Sequence, residues 1–529
     1  MHPRLLGVSL RHLLETFGGG SGWRKFGLAF ICNCIWVTAA VSAAYSQSVT
    51  GQISGTVTDS NGGAIVSATI QLTPDLSKQV RTFTTDTNGT FVFTNLVPGD
   101  YSVRIEAKGF KVYDQKGVTV SAQERVDLHE IKLEAGNVAE EVTVLAEAAH
   151  VATDSSDRGI AINLRQIEDT PIRGRDYKAI LKTLPGVVDL GNHDTRGWGS
   201  GVPTINGGQQ GQVLVTLDGI ASQDSGAPSL DAYLSPSIDA IGEVKLLVSN
   251  YTAEYGARNG GQMNVTIKNG TNQFHGSGYY YWRHESLDAN EWFNNRTGVS
   301  KPIYRFQNPG GTIGGPVIIP GTKFNKSRTK LFFFFSYDYL RNIGQTAVNH
   351  YTMPTALERQ GNFSQTVNTK GELILIKDPT SNKPCNTNDK SGCFLNNTIP
   401  SNMFNPIGQA FLNLFPLPNT TDPTGQRQYN AQYQLTNSNP RQDKILRIDY
   451  NVSPKTTTFV RLIQDYQGQD GFGAILGAAG DGWGQFPHGY DIASAGAVGT
   501  LIHSFRSNLI NEFTWGINRA HQMNSPLSQ

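Results

Sequence analysis

The sequence is short of charge and of catalytic motifs. Asp, Glu, Lys and Arg make up only 16% of its 529 residues, and the formal net charge is +1, whereas soluble domains carry roughly 25% charged residues. A chain with so little net charge lacks the electrostatic attraction that nucleic-acid binding requires, so we exclude that class of partner. It has no HExxH zinc motif and no pair of carboxylates in a convincing catalytic setting. We therefore predict that the protein is not an enzyme and uses no cofactor.

Cysteine is scarce as well, with four residues in the whole chain. Two of them, Cys385 and Cys393, are eight residues apart in a polar segment. A metal site there would need more cysteine or histidine nearby, but His193, His275 and His350 are scattered without ligand spacing. We expect no metal site. In an oxidising compartment the pattern predicts a local disulfide between Cys385 and Cys393.

Long apolar runs are absent except near the N-terminus. There, arginines and a lysine precede the run from Phe26 to Ala44, and small residues follow it. This pattern predicts a bacterial signal peptide over residues 1–46, whose cleavage would remove Cys32 and Cys34. The alternative is an uncleaved anchor, because the run approaches the roughly 20 apolar residues that span a bilayer.

Glycine and aromatic residues are plentiful, with 57 Gly, 25 Phe and 19 Tyr. Together with recurrent Asn and Thr, they favour turns and strands over helices. From Gly51 to about Leu133, short alternating strands are separated by Asp-Ser-Asn-Gly, Asp-Thr-Asn-Gly and Val-Pro-Gly-Asp turns. The segments "TDTNGTFVF" and "LVPGDYSVRIEAKGF" resemble the carboxypeptidase regulatory-like domain. This resemblance implies a transthyretin-like β-sandwich over residues 47–135 without a catalytic domain, and we favour plain β-turns over calcium loops.

A linker over residues 136–150 follows and carries the run Glu141, Val142, Thr143 and Val144. This run resembles the TonB box of outer-membrane transporters, a segment that pairs as a strand with an energising periplasmic protein. The alternative is that it forms the last strand of the preceding sandwich. Its position before the next segment favours the TonB box.

Residues 151–270 contain three motifs in a fixed order: "VLVTLDGI", "IDAIGEVKL" and "YGARNGGQMNVTIK". Their order and residues are similar to the plug domain of TonB-dependent transporters. The lengthened first motif and the segment "VSNYTAEYGARNG" are typical of the Oar-like branch of that family. We also expect a helix, a turn at Pro171 and a second helix that ends before Pro185.

Long alternating strands occupy residues 271–529. In "TKLFFFFSYDYLRN", Leu331, Phe333, Phe335, Tyr337 and Tyr339 share one apolar face. We predict seven strands whose connections alternate between long and short, as in an outer-membrane barrel, with the apolar faces in lipid and the arginines of the opposite faces lining a polar lumen. The predicted strands lie near residues 274–284, 305–317, 330–341, 444–452, 457–466, 493–503 and 508–519.

The sequence as a whole predicts a mainly β fold: a transthyretin-like β-sandwich, a small α/β plug domain and an incomplete antiparallel transmembrane β-barrel. An odd number of strands cannot close such a barrel, so we expect an open sheet and a chain that is an N-terminal fragment, with about fifteen further strands to follow. The long segment between Asn342 and Asp443 is expected to be functional and to hold a short helix from Pro406 to Phe415.

The resemblance implies a protein of the bacterial outer membrane, with its sandwich in the periplasm. Its partners would be a TonB-type energising protein, outer-membrane lipid and an extracellular substrate that the sequence does not reveal. The expected function is import of a large or scarce solute, of oligosaccharide, peptide or siderophore type. The alternative is an adhesion or protein-secretion platform of the Oar type without import. A third possibility, a secreted multidomain β protein or carbohydrate-active enzyme, is disfavoured by the alternating loop lengths and by the lack of paired catalytic carboxylates.

Overall fold

The protein is described by a computed structural model. It describes residues 50–75, 80–122, 124–136, 141–145, 158–189, 203–209, 211–223, 234–251, 255, 258–345, 348–453, 455–470, 488–506 and 509–526. The predicted signal peptide, with Cys32 and Cys34, lies outside the described residues, as do His193 and most of the predicted linker.

The N-terminal part is a sandwich of two sheets. Its strands are β1 (Gly51–Asp59), β2 (Thr69–Pro74), β3 (Arg81–Thr84), β4 (Thr90–Leu96), β5 (Gly99–Glu106), β6 (Val112–Val120), β7 (Arg125–Leu133) and β8 (Glu141–Leu145). One sheet has the order β4-β1-β7 and the other β3-β2-β5-β6-β8. Alternate residues of β1 and β5 point into the shared core, which includes Ile53, Phe91, Phe93 and Val103. The predicted sandwich is therefore confirmed.

Two aspartates close the turns of this sandwich. The Asp59 Oδ1 atom accepts hydrogen bonds from the backbone amides of Asn61 and Gly63, both at 2.8 Å. The Asp86 Oδ1 atom accepts in the same way from the amides of Asn88 and Thr90, both at 2.9 Å. Each of these carboxylates thus serves its own turn, which is the usual role of aspartate at such positions.

The second part is a small α/β unit. Its strands are β9 (Arg158–Asn163), β10 (Val187–Val188), β11 (Thr204–Ile205), β12 (Leu214–Leu217), β13 (Ile220–Ala221), β14 (Ile241–Ser249) and β15 (Gln262–Ile267). Five of them form a mixed sheet in the order β13-β12-β15-β14-β9, and β10 pairs with β11. The helices given for its described residues are α1 (Leu164–Asp169) and the 3-10 helices Arg173–Arg175, Tyr177–Thr183 and Ile238–Ala240. The expected second helix is thus a 3-10 helix, and it packs Tyr177, Ile180 and Leu181 into the core.

The third part is one antiparallel sheet of seven long strands. They are β16 (His275–His284), β17 (Tyr304–Pro316), β18 (Leu331–Gln345), β21 (Thr436–Ser453), β22 (Thr456–Asp470), β23 (His488–Arg506) and β24 (Leu509–Pro526). They lie in chain order, so β16 and β24 form the two edges and the described sheet is open. All seven predicted strands are present, and the connections alternate between long and short as predicted.

The two faces of the sheet differ as predicted. On β18, Phe332, Phe334, Ser336 and Asp338 are buried, whereas Phe335 on the other face is 38% exposed. On β24, Phe513, Trp515 and Ile517 are more than half exposed. The apolar residues that face outward are those that period-two alternation assigns to lipid.

The longest connection, between β18 and β21, is a folded loop. It contains β19 (Asn349–Tyr351), β20 (Ala431–Tyr433), helix α3 (Ala356–Arg359), the 3-10 helices Leu395–Asn397 and Ser401–Met403, and helix α4 (Pro406–Leu412). The earlier loop between β16 and β17 holds a 3-10 helix, Glu285–Leu287, and helix α2, Trp292–Thr297. Helix α4 begins at Pro406 as expected and ends before the expected Phe415. Cys385 and Cys393 form a disulfide in this loop, with their Cα atoms 4.9 Å apart.

Gly270, which connects the α/β unit to β16, touches the backbone of β18. A Cβ atom at Gly270 would lie 2.3 Å from the Phe333 carbonyl oxygen. Because neither backbone can yield easily, we expect Gly270→Ala to lower the free energy of unfolding by about 1–3 kcal/mol in urea titrations of the micelle-bound protein. The control is Gly344→Ala, where a Cβ would meet nothing within 4 Å. Equal stability of the two variants would contradict this account.

Candidate functional site between the α/β unit and the seven-stranded sheet

Two arginines stand directly opposite each other on the buried face of the seven-stranded sheet. Arg447 on β21 and Arg461 on β22 are register partners, and both are buried, with 4% and 0% of the side chain exposed. Like charges directly opposite on neighbouring strands repel, and a buried cation needs a counter-charge. These two residues therefore require negative charge close by.

Asp218 supplies such a charge. Its Oδ2 atom accepts a hydrogen bond from Arg461 Nε at 2.9 Å, and its Oδ1 atom lies 3.8 Å from Arg447 Nη1. Oδ1 also accepts from the Ile267 amide at 3.0 Å, which fixes the carboxylate within the α/β unit. Asp218 is fully buried, so this interaction is not weakened by solvent screening.

The turn that presents Asp218 follows from the Asp-Gly pair in the sequence. Asp218 has φ 47° and Gly219 has φ 81°, the positive values that a two-residue hairpin turn between β12 and β13 requires. Aspartate and glycine are among the residues that adopt this conformation most readily. The turn thus projects the carboxylate towards the two arginines.

Each arginine also donates to the backbone of the α/β unit. Arg447 Nη1 donates to the Ile267 carbonyl at 2.9 Å, and Arg461 Nη2 donates to the Leu217 carbonyl at 3.1 Å. Arg447 has a second counter-ion on its own strand, because its Nη2 atom lies 2.9 Å from Asp449 Oδ1. The two guanidinium groups therefore join β12 and β15 to the seven-stranded sheet.

A second set of contacts lies farther along the same two strands. Asp443 and Asp465 are also register partners. The Asp443 Oδ2 atom accepts from the Ser237 amide at 2.7 Å, and the Asp465 Oδ2 atom accepts from the Ser235 amide at 3.0 Å. Arg441 forms an ion pair with Asp465 and donates to the Ser235 carbonyl at 3.3 Å. The segment around Ser235 is thus held by carboxylates of the strands.

The sequence predicted part of this site. Period-two alternation placed Arg447 and its neighbours on the polar face, and the structure puts them there. The sequence did not indicate that Asp218, which is 243 residues away from Arg461, would be their partner. The signal was present in the Asp-Gly turn of the "VLVTLDGI" motif, but only the fold brings the two segments together.

The sandwich contacts the α/β unit through Ala122, which follows β6. Glu243 and Lys245 lie on the same side of β14. The Glu243 Oε1 atom accepts from the Ala122 amide at 2.8 Å, and Lys245 Nζ donates to the Ala122 carbonyl at 2.7 Å. Strand β14 thus binds both the amide and the carbonyl group of Ala122. Burial raises the pKa of Glu243 to about 7, aided by Glu124 and opposed by the Ala122 hydrogen bond and by Lys245.

The sandwich also lies next to the short-turn end of the seven-stranded sheet. The Thr94 and Ser504 hydroxyl oxygens are 3.4 Å apart. Beside this contact is a cavity of about 940 Å³, lined by residues of both parts, including Arg81, Lys330 and Arg506.

The predicted TonB box is a strand of the sandwich in this structure. β8 pairs in parallel with β6, with Glu141 opposite Val112 and Leu145 opposite Lys116. This is the arrangement that the alternative interpretation of the segment describes. The pairing does not test the segment's role, which stays a prediction.

Two further structural findings bear on the chemistry of the described residues. Nowhere in the part of the chain that the structure describes is there a helix long and apolar enough to cross a membrane. Across the same residues, no group of three or more His, Cys, Asp or Glu side chains could hold a metal ion.

Comparison with known families matches each of the three parts. The carboxypeptidase regulatory-like domain matches residues 52–134, the TonB-dependent receptor plug domain matches residues 153–261, and the outer membrane beta barrel domain matches residues 266–529. The α/β unit is therefore the plug, and the seven-stranded sheet is barrel wall. The chain therefore carries the plug domain of the TonB-dependent receptors and an outer membrane beta-barrel domain, an architecture of the bacterial outer membrane.

Within this class, the chain is similar to the TonB-dependent transporter Oar of Myxococcus xanthus. The two are 25% identical over 314 residues, which cover 56% of this chain and 27% of Oar. The chain thus spans about a quarter of the length of this curated relative. The predicted resemblance to the Oar-like branch is confirmed.

The solved structures to which the chain is similar include a transporter and a siderophore receptor. The transporter YddB of Escherichia coli is 12% identical with a TM-score of 0.39, and the match covers 68% of this chain and 38% of YddB. The siderophore receptor PirA of Acinetobacter baumannii is 14% identical with a TM-score of 0.38, with 69% and 40% covered.

We expect Asp218→Asn to loosen the plug. Asparagine tolerates the turn conformation, so the change removes mainly the negative charge and leaves two buried arginines face to face. The expected loss is about 3 kcal/mol in the free energy of plug unfolding, measured by urea titration in micelles. Asp169→Asn, at an exposed position of the plug, should change it by less than about 0.5 kcal/mol.

A second substitution distinguishes charge repulsion from general damage. Adding Arg461→Met to the Asp218→Asn variant removes one of the two opposed charges and should restore part of the lost stability. A double variant that is no more stable than Asp218→Asn alone would contradict the role assigned to Asp218.

The contact between sandwich and plug should depend on pH through Glu243, which lies outside the membrane-spanning strands. Its pKa is raised from 4.5 to about 7, so the folded protein binds a proton that the unfolded chain releases between these values. The resulting stability is fully present below pH 4.5 and is lost as pH rises through 7, by at most about 3 kcal/mol. Urea titrations at pH 5 and pH 8 would measure it.

The matched control for this pH effect is Glu243→Gln, which keeps an oxygen to accept from Ala122 but does not titrate. The difference in stability between the native protein and this variant should shift with pH in the direction given above. A difference that stays constant from pH 5 to pH 8 would show that Glu243 does not titrate in this range.

Proposed function

We propose that the protein imports a large or scarce solute through a plugged barrel, driven by a TonB-type energising protein. Solute would bind to the long loops and the adjacent surface of the plug. The energising protein would then pull on the segment Glu141 to Val144, and the plug would shift so that the solute crosses the lumen. No catalytic step is required in this cycle.

The observation that supports this proposal most directly is how the plug is attached. Among the described residues, only Phe334, Ile445 and Ile463 of the barrel wall join the apolar core of the plug. One further apolar contact is made by Ile220 of β13, which packs against Phe459 and Val498. The buried polar contacts are concentrated at Asp218 and at Ser235 to Ser237. Hydrogen bonds lose most of their strength when donor and acceptor separate beyond about 3.5 Å. A displacement of a few ångströms would therefore release the plug, whereas a continuous apolar interface would resist it.

The position of the sandwich fits the proposed cycle. Outer-membrane barrels have short periplasmic turns and long extracellular loops. The sandwich contacts Ser504, beside the short turn between β23 and β24, so we place it in the periplasm. The segment that would bind the energising protein would then lie on the side from which the pull must come.

The solute that we propose is of oligosaccharide, peptide or siderophore type. An adhesion or protein-secretion platform without import is the second candidate. It is favoured by the folded loop between β18 and β21, where Ile407 and Phe411 of helix α4 are 80% and 62% exposed. Apolar side chains that are exposed together commonly mark a surface for a protein partner.

Uptake measurements separate the two candidates. Cells that express the receptor would be offered labelled oligosaccharides, peptides and ferric siderophores, with and without a protonophore. We expect one class to accumulate only when the proton motive force is intact, and Val142→Pro or Val144→Pro to abolish accumulation without affecting surface binding, because proline removes a backbone donor. Binding that never leads to accumulation, in any of these classes, would support the platform instead.

A further inference from the structure

β8 has one paired edge and one outer edge. It lies at the end of the sheet β3-β2-β5-β6-β8, and its five residues pair with Val112 to Lys116 of β6. No other strand in the described part of the chain pairs with β8. Because successive backbone groups of a strand point alternately to its two sides, part of its donors and acceptors face away from β6. Such an edge is a template on which another strand can add.

We propose that the energising protein adds its strand to this outer edge while β8 stays in the sandwich. This inference rests on the proposed function, which makes Glu141 to Val144 the binding segment. The sandwich is then half of the docking surface, and the bound partner becomes the sixth strand of its sheet. The alternative is that β8 must first leave β6, which would break its whole ladder with Val112 to Lys116 before any new pairing forms.

The contacts of β6 show how a pull on β8 would reach the plug if β8 stays in the sandwich. β6 ends at Val120, and two residues later Ala122 is bound by Glu243 and Lys245 of the plug strand β14. A pull on β8 is thus passed through β6 and Ala122 to β14. The covalent path leads through residues 146–157 to β9, which pairs with the same strand β14. Both paths meet at β14 only if β8 remains paired with β6.

The partner that this edge fits is an extended periplasmic segment that binds through its backbone. Strand addition depends on main-chain hydrogen bonds and tolerates many side chains. The twelve residues between β8 and β9 span at most about 40 Å, so a partner held at β8 stays close to the plug. This closeness is what a protein that pulls on the plug needs.

A reversible tether tests the inference. Gln115 and Val144 are register partners, and neighbouring strands are close enough for a disulfide between such positions. In the Gln115→Cys/Val144→Cys variant, oxidation would lock β8 onto β6. Purified receptor would be titrated with the periplasmic domain of the TonB-type protein, in oxidised and reduced form. We expect the two Kd values to agree within about twofold.

The controls make each outcome decisive. Gln115→Ser/Val144→Ser has similar side chains but cannot be oxidised, and Tyr113→Cys/Val142→Cys, another register pair, serves if the first pair impairs folding. Binding that is lost at least about 100-fold on oxidation and regained on reduction would overturn the inference, because β8 must then leave β6. If even the native receptor fails to bind the periplasmic domain, the proposed function itself fails.

Discussion

Two arginines that face each other across neighbouring barrel strands set the main physical constraint on this structure. Arg447 and Arg461 are buried register partners, an arrangement that repels unless an anion lies beside them. Asp449 supplies one such charge from the barrel itself. The other comes from Asp218 of the plug. The charge of Arg461 is therefore balanced only when the plug is in place, and plug and barrel depend on each other for stability.

The same constraint fits the plug displacement that we propose. Buried ion pairs are strong while their geometry is intact, but their net contribution is limited by the cost of removing both charges from water. Once the groups separate and water enters, that cost is recovered and the repulsion between the arginines is screened. The attachment thus resists small fluctuations yet offers little opposition after the first displacement. An apolar interface of equal strength would oppose movement over its whole area.

The sequence predicted the elements of this structure better than their contacts. The alternation in "TKLFFFFSYDYLRN" placed β18 and its two faces, because side-chain direction in a strand follows from position alone. The Asp-Gly pair likewise favours the turn at Asp218. The partners of Asp218 lie far along the chain, Arg461 being 243 residues away, and no local pattern encodes which arginine it meets. The segment Glu141 to Leu145 shows the same limit, since its sequence fits a sandwich strand and a partner-binding strand equally well.

The strands of the plug sheet are attached to different parts of the protein. In the order β13-β12-β15-β14-β9, the arginines of the barrel bind β12 and β15 through Leu217 and Ile267. The sandwich binds β14 through Ala122. Edge strand β9 is held in this sheet by its pairing with β14. A pull that reaches β9 first can therefore separate one ladder of hydrogen bonds while both attachments persist. A pull that reaches β14 through the sandwich acts instead on the neighbour of β15. Strand β15 contacts Asp218 and Arg447 through Ile267.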